Sequence, residues 1–182
     1  SVKPSDPRVH DARPHPGQLL VSRRIRQILD NSPIMSSHSE CDQVQDAYSF
    51  RCAPQVHGAI HERLTALQNT LRIELNSATD NPLIFPDLAN PGSHEVISQG
   101  NFHGEVLALA ADSMVSAMFE LASISERRID QMLDPARSKL PAFLAKDSGL
   151  ESGLMIVQYV AGASLSDLHG HAAPRTTFST ST

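Results

Sequence analysis

The sequence contains no tryptophan, and aromatic residues make up only 4% of its 182 positions. Apolar residues nevertheless account for 40% of the chain, which is enough for one domain with a substantial interior. That interior has to be built from aliphatic side chains. Packed helices use Leu, Ala and Met readily, whereas strands are enriched in aromatic and β-branched residues. The composition therefore favours a mainly α fold.

Clustered positive charge is also missing. The formal net charge is −5 and no basic stripe occurs, so nucleic acids and anionic membrane surfaces are poor candidates for partners. The longest uncharged apolar run, residues 153–166, is shorter than the roughly 20 residues that a membrane span needs. No charged segment followed by an apolar stretch is visible at the start, so no signal peptide is predicted and we expect a cytoplasmic protein.

Cysteine is scarce as well. The two cysteines, Cys41 and Cys52, match neither a disulfide framework nor a zinc signature, and we expect both to be reduced thiols. His57 and His61 lie one helical turn apart, but the H-E-x-x-H arrangement and a signal for a third ligand are both missing. We therefore predict no metal site.

Four helices are predicted from the spacing of apolar residues. The clearest covers residues 54–76, and the others cover residues 16–30, 103–133 and 150–168. In the clearest helix, apolar side chains recur every three or four positions and form one stripe. The members of that stripe are Val56, Ile60, Leu64, Leu67, Leu71 and Leu75.

The remaining segments have the composition of connections. Residues 1–16 are rich in proline and charge, which predicts an extended lead-in that lies on another surface. Residues 31–42 are predicted to form a polar loop. Two short apolar runs separated by turn residues predict a small β-hairpin excursion at about 80–101. Residues 17–171 then form the helical domain, and 172–182 are a truncated Ser/Thr-rich tail.

The predicted helices are long for a chain of this size. Helices of 20 to 30 residues measure about 30 to 45 Å. A compact chain of 182 residues has a radius of gyration of only about 16 Å. We therefore predict that these helices pack against further helices, supplied by another segment or by other subunits.

One polar cluster directly precedes the clearest helix. A single helical turn would place Tyr48 and Arg51 on the same side, with Gln45 one turn earlier. Arginine can hold a carboxylate through two parallel hydrogen bonds, and a tyrosine hydroxyl can transfer a proton near a cation or an electrophile. The same residues also suit ordinary packing and capping at a helix start. Spacing alone favours this simpler interpretation.

A second cluster precedes the other long helix. Gly100 and Gly104 flank Asn101 and Phe102, which indicates backbone brought close to another group. The alternative is a helix start capped by Asn101, with Glu105 favourably placed in the first turn. Taken alone, this segment favours the capping interpretation.

Several motifs together resemble one known family. Residues 44–59, VQDAYSFRCAPQVHGA, are similar to a signature of the histidine and aromatic amino-acid ammonia-lyases and their 2,3-aminomutase relatives, which use a methylidene-imidazolone group. Similar blocks follow in the family's order across nearly the whole chain. They are RPHPGQ before the signature, and ELNSATDNP, ISQGNFHG, SERR, LPAFL and GLMIVQY after it. The resemblance implies the long-helix bundle of the fumarase/aspartase-like superfamily.

The resemblance also overturns the simpler interpretations of both polar clusters. It implies that Arg51 holds the substrate carboxylate and that Tyr48 and Gln45 line the reaction centre. Family precedent assigns the main proton abstraction to another tyrosine, nearer the N-terminus. Phe102 matches a residue packed beside the prosthetic group and substrate, and Asn101 is adjacent to it.

The family forms its methylidene-imidazolone from Ala-Ser-Gly, a tripeptide that does not occur in these 182 residues. We therefore expect a C-terminal-half fragment, a proteolytic product or one partner of a split subunit, inactive alone. The family's enzymes are homotetramers with each active site drawn from three subunits. The resemblance thus implies an amino-acid substrate, and further copies or a complementing N-terminal fragment as partners.

The substrate and the outcome of the reaction stay open. Ala47 and His57 stand where a histidine ammonia-lyase is expected to carry Pro and Met, which favours an aromatic L-amino acid over L-histidine. Elimination of ammonia and migration of the amino group are not distinguished. A non-catalytic helical assembly fragment is the alternative from another class. A fumarase or aspartase relative lacks support, because its Ser-Ser and Met-Pro-x-Lys-x-Asn loop has no counterpart near residues 35–46.

Overall fold

A computed structural model describes residues 3–37 and 44–178, which form a mainly helical chain with one small sheet. Short 3-10 turns cover Lys3–Ser5, Ala142–Leu144 and Thr176–Phe178. The helices and strands in chain order are α1 (Pro7–Asp11), α2 (Pro16–Leu29), α3 (Pro33–Ser37), α4 (Tyr48–Arg51), α5 (Ala53–Glu74), β1 (Leu83–Pro86), β2 (His94–Ile97), α6 (Glu105–Leu133), α7 (Pro135–Ser138) and α8 (Met155–His171).

The N-terminal segment is helical rather than extended, so that prediction was wrong. The 3-10 turn and α1 fold back onto α2, where His10 is fully buried. The Nδ1 atom of His10 accepts a hydrogen bond from the Gln18 amide at 2.9 Å, and its Nε2 atom lies 2.9 Å from the Pro4 carbonyl oxygen. Prolines suit the first turn of short helices, where no backbone N–H is needed.

The predicted loop after α2 is partly helical. α3 occupies Pro33–Ser37, and the last part of the predicted loop, residues 38–42, lies outside the described residues. α2 itself ends at Leu29, one residue before its predicted end.

α2 and α5 cross with their backbones in contact. A Cβ atom on Gly17 would lie 2.1 Å from the Gly58 carbonyl oxygen, and one on Gly58 would lie 2.5 Å from the Gln18 nitrogen. Only glycine allows so close an approach. The Glu62 carboxylate accepts a hydrogen bond from Gly17 N at 2.8 Å, and this satisfies an N–H in the first turn of α2.

α6 is the longest helix and ends at the predicted residue, Leu133. It packs against α4, α5 and α8, and buries Ala117 and Ile124 along its length. Asp134 then leaves the helical backbone conformation, and its carboxylate caps α7 by accepting from Ala136 N at 2.9 Å. Three of the five buried apolar residues among those described, Ala117, Ile124 and Leu133, belong to α6, and the others are Ala53 at the start of α5 and Ala145 after the second 3-10 turn.

The predicted hairpin is confirmed. β1 and β2 pair antiparallel, from Leu83 opposite Ile97 to Pro86 opposite His94. The excursion follows α5 and returns the chain directly to the start of α6. It therefore fixes the second polar cluster at the end of β2.

α8 begins later than predicted, at Met155 instead of residue 150. Gly149 and Gly153 have φ values of 100° and 49°, and this left-handed backbone cannot continue a right-handed helix. The tail then turns back onto α6, where the Asp112 carboxylate accepts hydrogen bonds from Arg175 N and Thr176 N, both at 2.9 Å.

Much apolar surface remains uncovered on the long helices. Leu71 and Leu75 near the end of α5, and Leu109 near the start of α6, are 41%, 84% and 56% exposed. Within residues 3–37 and 44–178, α6 alone is long and apolar enough, by length and composition, to cross a membrane, and only 11% of its most apolar window is buried. A bundle helix that packs against further helices outside the chain meets the same criterion of length and hydropathy, because its apolar face stays exposed in the isolated chain.

Candidate functional site

α4 brings two of the predicted site residues together. The Arg51 guanidinium carbon lies 5.4 Å from the centroid of the Tyr48 ring, so the prediction that one helical turn places them on the same side is confirmed. Tyr48 is 71% exposed and lines a cleft of about 290 Å³ between α4 and α6. The Tyr48 ring is therefore open to a ligand, and the Arg51 cation lies beside it.

Arg51 has no carboxylate partner among the described residues. Its Nε atom is buried without a hydrogen-bond acceptor, whereas nearby Arg127 and Arg137 both form ion pairs. A guanidinium fork that lacks an acceptor matches the two oxygens of a carboxylate. The arrangement can thus bind an acidic group supplied from outside this part of the chain.

Gln45 does not share this side of α4. The backbone bends at residues 44–45 and Ala47 is extended, with φ −52° and ψ 142°, so the helical turn that was expected to align Gln45 with Tyr48 is not formed. Gln45 instead lines a neighbouring cavity of about 790 Å³ with Phe50 and His57. The prediction that all three residues face one way was therefore wrong for Gln45.

Asn101 and Phe102 are held by side-chain hydrogen bonds at the base of the hairpin. The Asn81 Oδ1 atom accepts from Gln99 N at 2.8 Å, and Gln99 Nε2 donates to the Asp80 carbonyl at 2.6 Å. Asn101 N donates to Gln99 Oε1, and the Asn101 side chain donates to the Ala78 carbonyl at 3.4 Å. Phe102 presents a ring that is 61% exposed.

Asn101 does not cap α6, so the capping alternative was wrong. The residue before the first helical turn is Gly104, which makes no side-chain cap, and His103 Nδ1 accepts from Glu105 N at 3.2 Å instead. The Asn101 side chain is engaged with the hairpin, which leaves it unable to reach the helix start.

The two clusters lie far apart within one chain. Tyr48 and Ile124 of α6 line the same cleft, whereas Phe102 lies just before the start of that helix. The first residue of α6 is Glu105, and at 1.5 Å per residue it is separated from Ile124 by about 28 Å along the axis. The structure therefore does not unite Tyr48 and Arg51 with Asn101 and Phe102.

Arg128 is a site-adjacent residue whose contacts sequence reasoning did not identify. Its Nε and Nη2 atoms donate to the Ser49 carbonyl at 3.2 and 2.9 Å, and Nη2 lies 2.9 Å from His57 Nε2. Its guanidinium carbon also stacks 5.7 Å from the centroid of the Phe50 ring. The one sequence signal was its place in the SERR block.

His57 belongs to this contact network. Because a guanidinium only donates, His57 Nε2 accepts, and the neutral ring carries its proton on Nδ1. Burial, and then the charge of Arg128, lower the pKa of His57 below its ordinary value. No group of three His, Cys, Asp or Glu side chains within residues 3–37 and 44–178 is arranged to hold a metal ion.

Comparison with known proteins places the chain in a family. The family model described as aromatic amino acid lyase matches residues 1–182. The chain belongs to this family. The aromatic amino acid lyase chain is 50% identical over 163 residues to histidine ammonia-lyase from Myxococcus xanthus (strain DK1622), an alignment that covers 90% of this chain and 31% of the relative.

Solved structures agree with this aromatic amino acid lyase assignment. Histidine ammonia-lyase from Trypanosoma cruzi superposes with a TM-score of 0.85 at 44% identity, covering 100% of this chain and 32% of that one. Phenylalanine aminomutase from Pantoea agglomerans gives a TM-score of 0.86 at 33% identity, covering 100% and 38%. The predicted family and the predicted fold, a mainly α long-helix bundle with a small hairpin, are confirmed.

The aromatic amino acid lyase chain spans about a third of the length of these relatives. Its described residues include two polar clusters that lie apart, Tyr48 with Arg51 and Asn101 with Phe102. The roles that the family resemblance implies for Gln45, Tyr48, Arg51, Asn101 and Phe102 stay predictions.

Proposed function

We propose that this chain is part of an enzyme that eliminates ammonia from an L-amino acid and that α4 binds the substrate carboxylate. The observation that carries the proposal is the free guanidinium of Arg51 beside the exposed Tyr48 ring. The Nε–H of this guanidinium is buried without an acceptor, which is costly unless a further group completes its hydrogen bonds. An α-amino acid supplies the required carboxylate.

Each predicted residue has a place in this proposal. Arg51 holds the carboxylate, and Tyr48, at the open edge of the cleft, takes part in proton transfer. Gln45 reaches the reaction centre from the neighbouring cavity, which shares Gln131 and Arg137 with the Tyr48 cleft. Asn101 and Phe102 form one wall of the substrate pocket, where the exposed Phe102 ring can stack on a planar group of the substrate. The methylidene-imidazolone, when present, makes the amino group a better leaving group.

The site is completed by residues beyond one copy of this chain. Phe102 precedes the first residue of α6, which lies about 28 Å along the helix axis from Ile124 at the Tyr48 cleft, so one copy cannot enclose a small amino acid between Phe102 and Tyr48. Ala-Ser-Gly is also missing from these 182 residues, so the electrophile would come from another segment. Neighbouring subunits, arranged as a homotetramer, would supply both.

L-Histidine is the substrate we favour. Identity to histidine ammonia-lyases reaches 50% and 44%, against 33% to phenylalanine aminomutase. The second candidate is an aromatic L-amino acid, supported by Ala47 and His57 in place of the Pro and Met expected for a histidine ammonia-lyase. Contact between His57 and Arg128 weakens this second argument, because it gives His57 a role in packing.

The proposal is tested by replacing Arg51 in the full-length protein that contains this chain. Arg51→Lys keeps the charge but loses the bidentate fork, and we expect KM for the amino acid to rise at least about tenfold. L-Histidine, L-phenylalanine and L-tyrosine would be compared by ammonia release and by product absorbance. A 2,3-migrated product would identify an aminomutase.

Arg72→Lys is the matched control, because Arg72 lies exposed in the last turn of α5. It should leave KM unchanged. Full activity in an Arg51→Ala variant would contradict the proposal and favour the non-catalytic assembly role.

A further inference from the structure

α4 is too short to position its own side chains. It contains four residues, and the residue before its first turn, Ala47, provides no side-chain cap. Isolated helices of fewer than about 12 residues are marginal in water, so the orientation of α4 must come from tertiary contacts. Whatever anchors α4 therefore also decides where Tyr48 and Arg51 point.

Arg128 supplies that anchor from α6. Two of its N–H groups converge on the Ser49 carbonyl, at 3.2 and 2.9 Å, and Ser49 lies buried at the centre of α4. Stacking on Phe50 adds a second contact with α4, and the bond to His57 ties the same guanidinium to α5. One side chain thus links three helices around the Tyr48 and Arg51 pair.

The neighbouring arginines are used differently. Arg127 pairs with the Glu126 carboxylate at 2.5 Å, and Arg137 pairs with Asp130 at 2.8 Å. Among the described residues Arg128 has no carboxylate partner, and burial lowers its pKa. Its acceptors are a backbone carbonyl and an imidazole, so its contacts fix geometry and do not neutralise charge.

We propose that Arg128 is a positioning residue that sets the orientation of α4, and through it the grip of Arg51 on the substrate carboxylate. This inference rests on the proposed function. The planar fork is essential to it, since a lysine cannot donate two bonds to Ser49 and stack on Phe50 at once.

The test is a double-mutant cycle in the full-length protein. Arg128→Met keeps an apolar stem and removes every donor, and it should lower kcat/KM about a hundredfold, as expected when a binding group is displaced by an ångström. Adding Arg51→Met should then cause little further loss, because Arg51 is already out of place. Losses that multiply would overturn the proposal, since independent sites give additive free energies.

A second variant covers the case in which Arg128→Met does not fold. Arg128→Lys keeps the positive charge, and we expect it to raise KM in the same direction as Arg51→Lys. Wild-type KM and kcat in Arg128→Lys would show that charge alone suffices, and the proposal would fail.

Hydrogen exchange separates this inference from the proposed function. The amides of Phe50, Arg51 and Cys52 bond within the α4 turn and should exchange faster in Arg128→Lys and Arg128→Met than in Arg72→Met. That readout needs no activity. Unchanged exchange would refute the anchor, whereas faster exchange together with an Arg51→Met variant of normal KM would refute only the carboxylate-binding role.

Discussion

At the scale of single residues, His57 couples the site to pH. Burial, followed by the charge of Arg128, lowers the pKa of His57 below the ordinary value of about 6.5. The unfolded chain therefore binds this proton more readily than the folded chain does. The stability that neutral His57 contributes is complete above about pH 6.5 and is lost as the pH falls through the lowered folded pKa.

We expect His57→Gln to flatten this part of the pH dependence. Between about pH 8 and 5 the free energy of unfolding, measured by urea denaturation, should fall more steeply for wild type than for His57→Gln. His61→Gln is the matched control, one turn away on the exposed face of α5, and should follow wild type. Parallel wild-type and His57→Gln profiles would refute the assignment.

The sequence identified some of these residues and not others for a physical reason. Tyr48 and Arg51 are three positions apart, so a local helical turn brings them together and spacing predicts it. Arg128 and Ser49 are 79 positions apart, and their contact exists only because α4 packs on α6. No local pattern encodes such a contact. The predicted position of Gln45 was wrong for a local reason, because the turn that contains Gln45 is not helical.

At the scale of helices, the crossing of α2 and α5 depends on two glycines. Gly58→Ala would place a methyl group 2.5 Å from the Gln18 nitrogen, a backbone atom that cannot move aside cheaply. We expect net destabilisation, because a clash with backbone costs about 1–3 kcal/mol or more, whereas replacing glycine in a helix gains at most about 1 kcal/mol. Thermal or urea unfolding measures the difference.

Gly162→Ala in α8 provides the contrast. Apart from the backbone of α8 itself, no atom of residues 3–37 and 44–178 lies within 4 Å of a Cβ at Gly162, so the same substitution there should leave stability unchanged or raise it by up to about 1 kcal/mol. If both variants are stabilised alike, the close crossing of α2 and α5 is wrong.

Helix positions were predictable wherever apolar spacing extended over several turns. α5 and α6 matched their stripes to within two residues at each end, since a long amphipathic period is difficult to mistake. Short elements behaved otherwise. α1 and α3 begin at prolines, which in the sequence favoured an extended segment and a loop. α8 starts late because two glycines adopt a left-handed backbone conformation. Such local choices depend on the surfaces that cover them.

At the scale of the whole molecule, one end of the helical bundle exposes apolar side chains. α5 and α6 run antiparallel, since Arg128 near the end of α6 contacts His57 near the start of α5, while Asn101 just before α6 contacts Ala78 just after α5. The end of α5 and the start of α6 therefore lie side by side, and their apolar residues are exposed together. A shared apolar face on long helices is an expected association surface.

We predict that the chain self-associates through this face. The wild-type polypeptide should sediment at micromolar concentration as a multiple of its 19.8 kDa mass. Leu109→Glu, which puts a charge at a half-exposed position of α6, should shift it toward monomer because burying an unpaired carboxylate costs more than the apolar contact gains. Leu88→Glu, on the hairpin turn at 93% exposure, is the matched control and should not change the mass. A stable, folded wild-type monomer would contradict the prediction and would also remove the simplest way to bring Phe102 of one copy to the Tyr48 cleft of another.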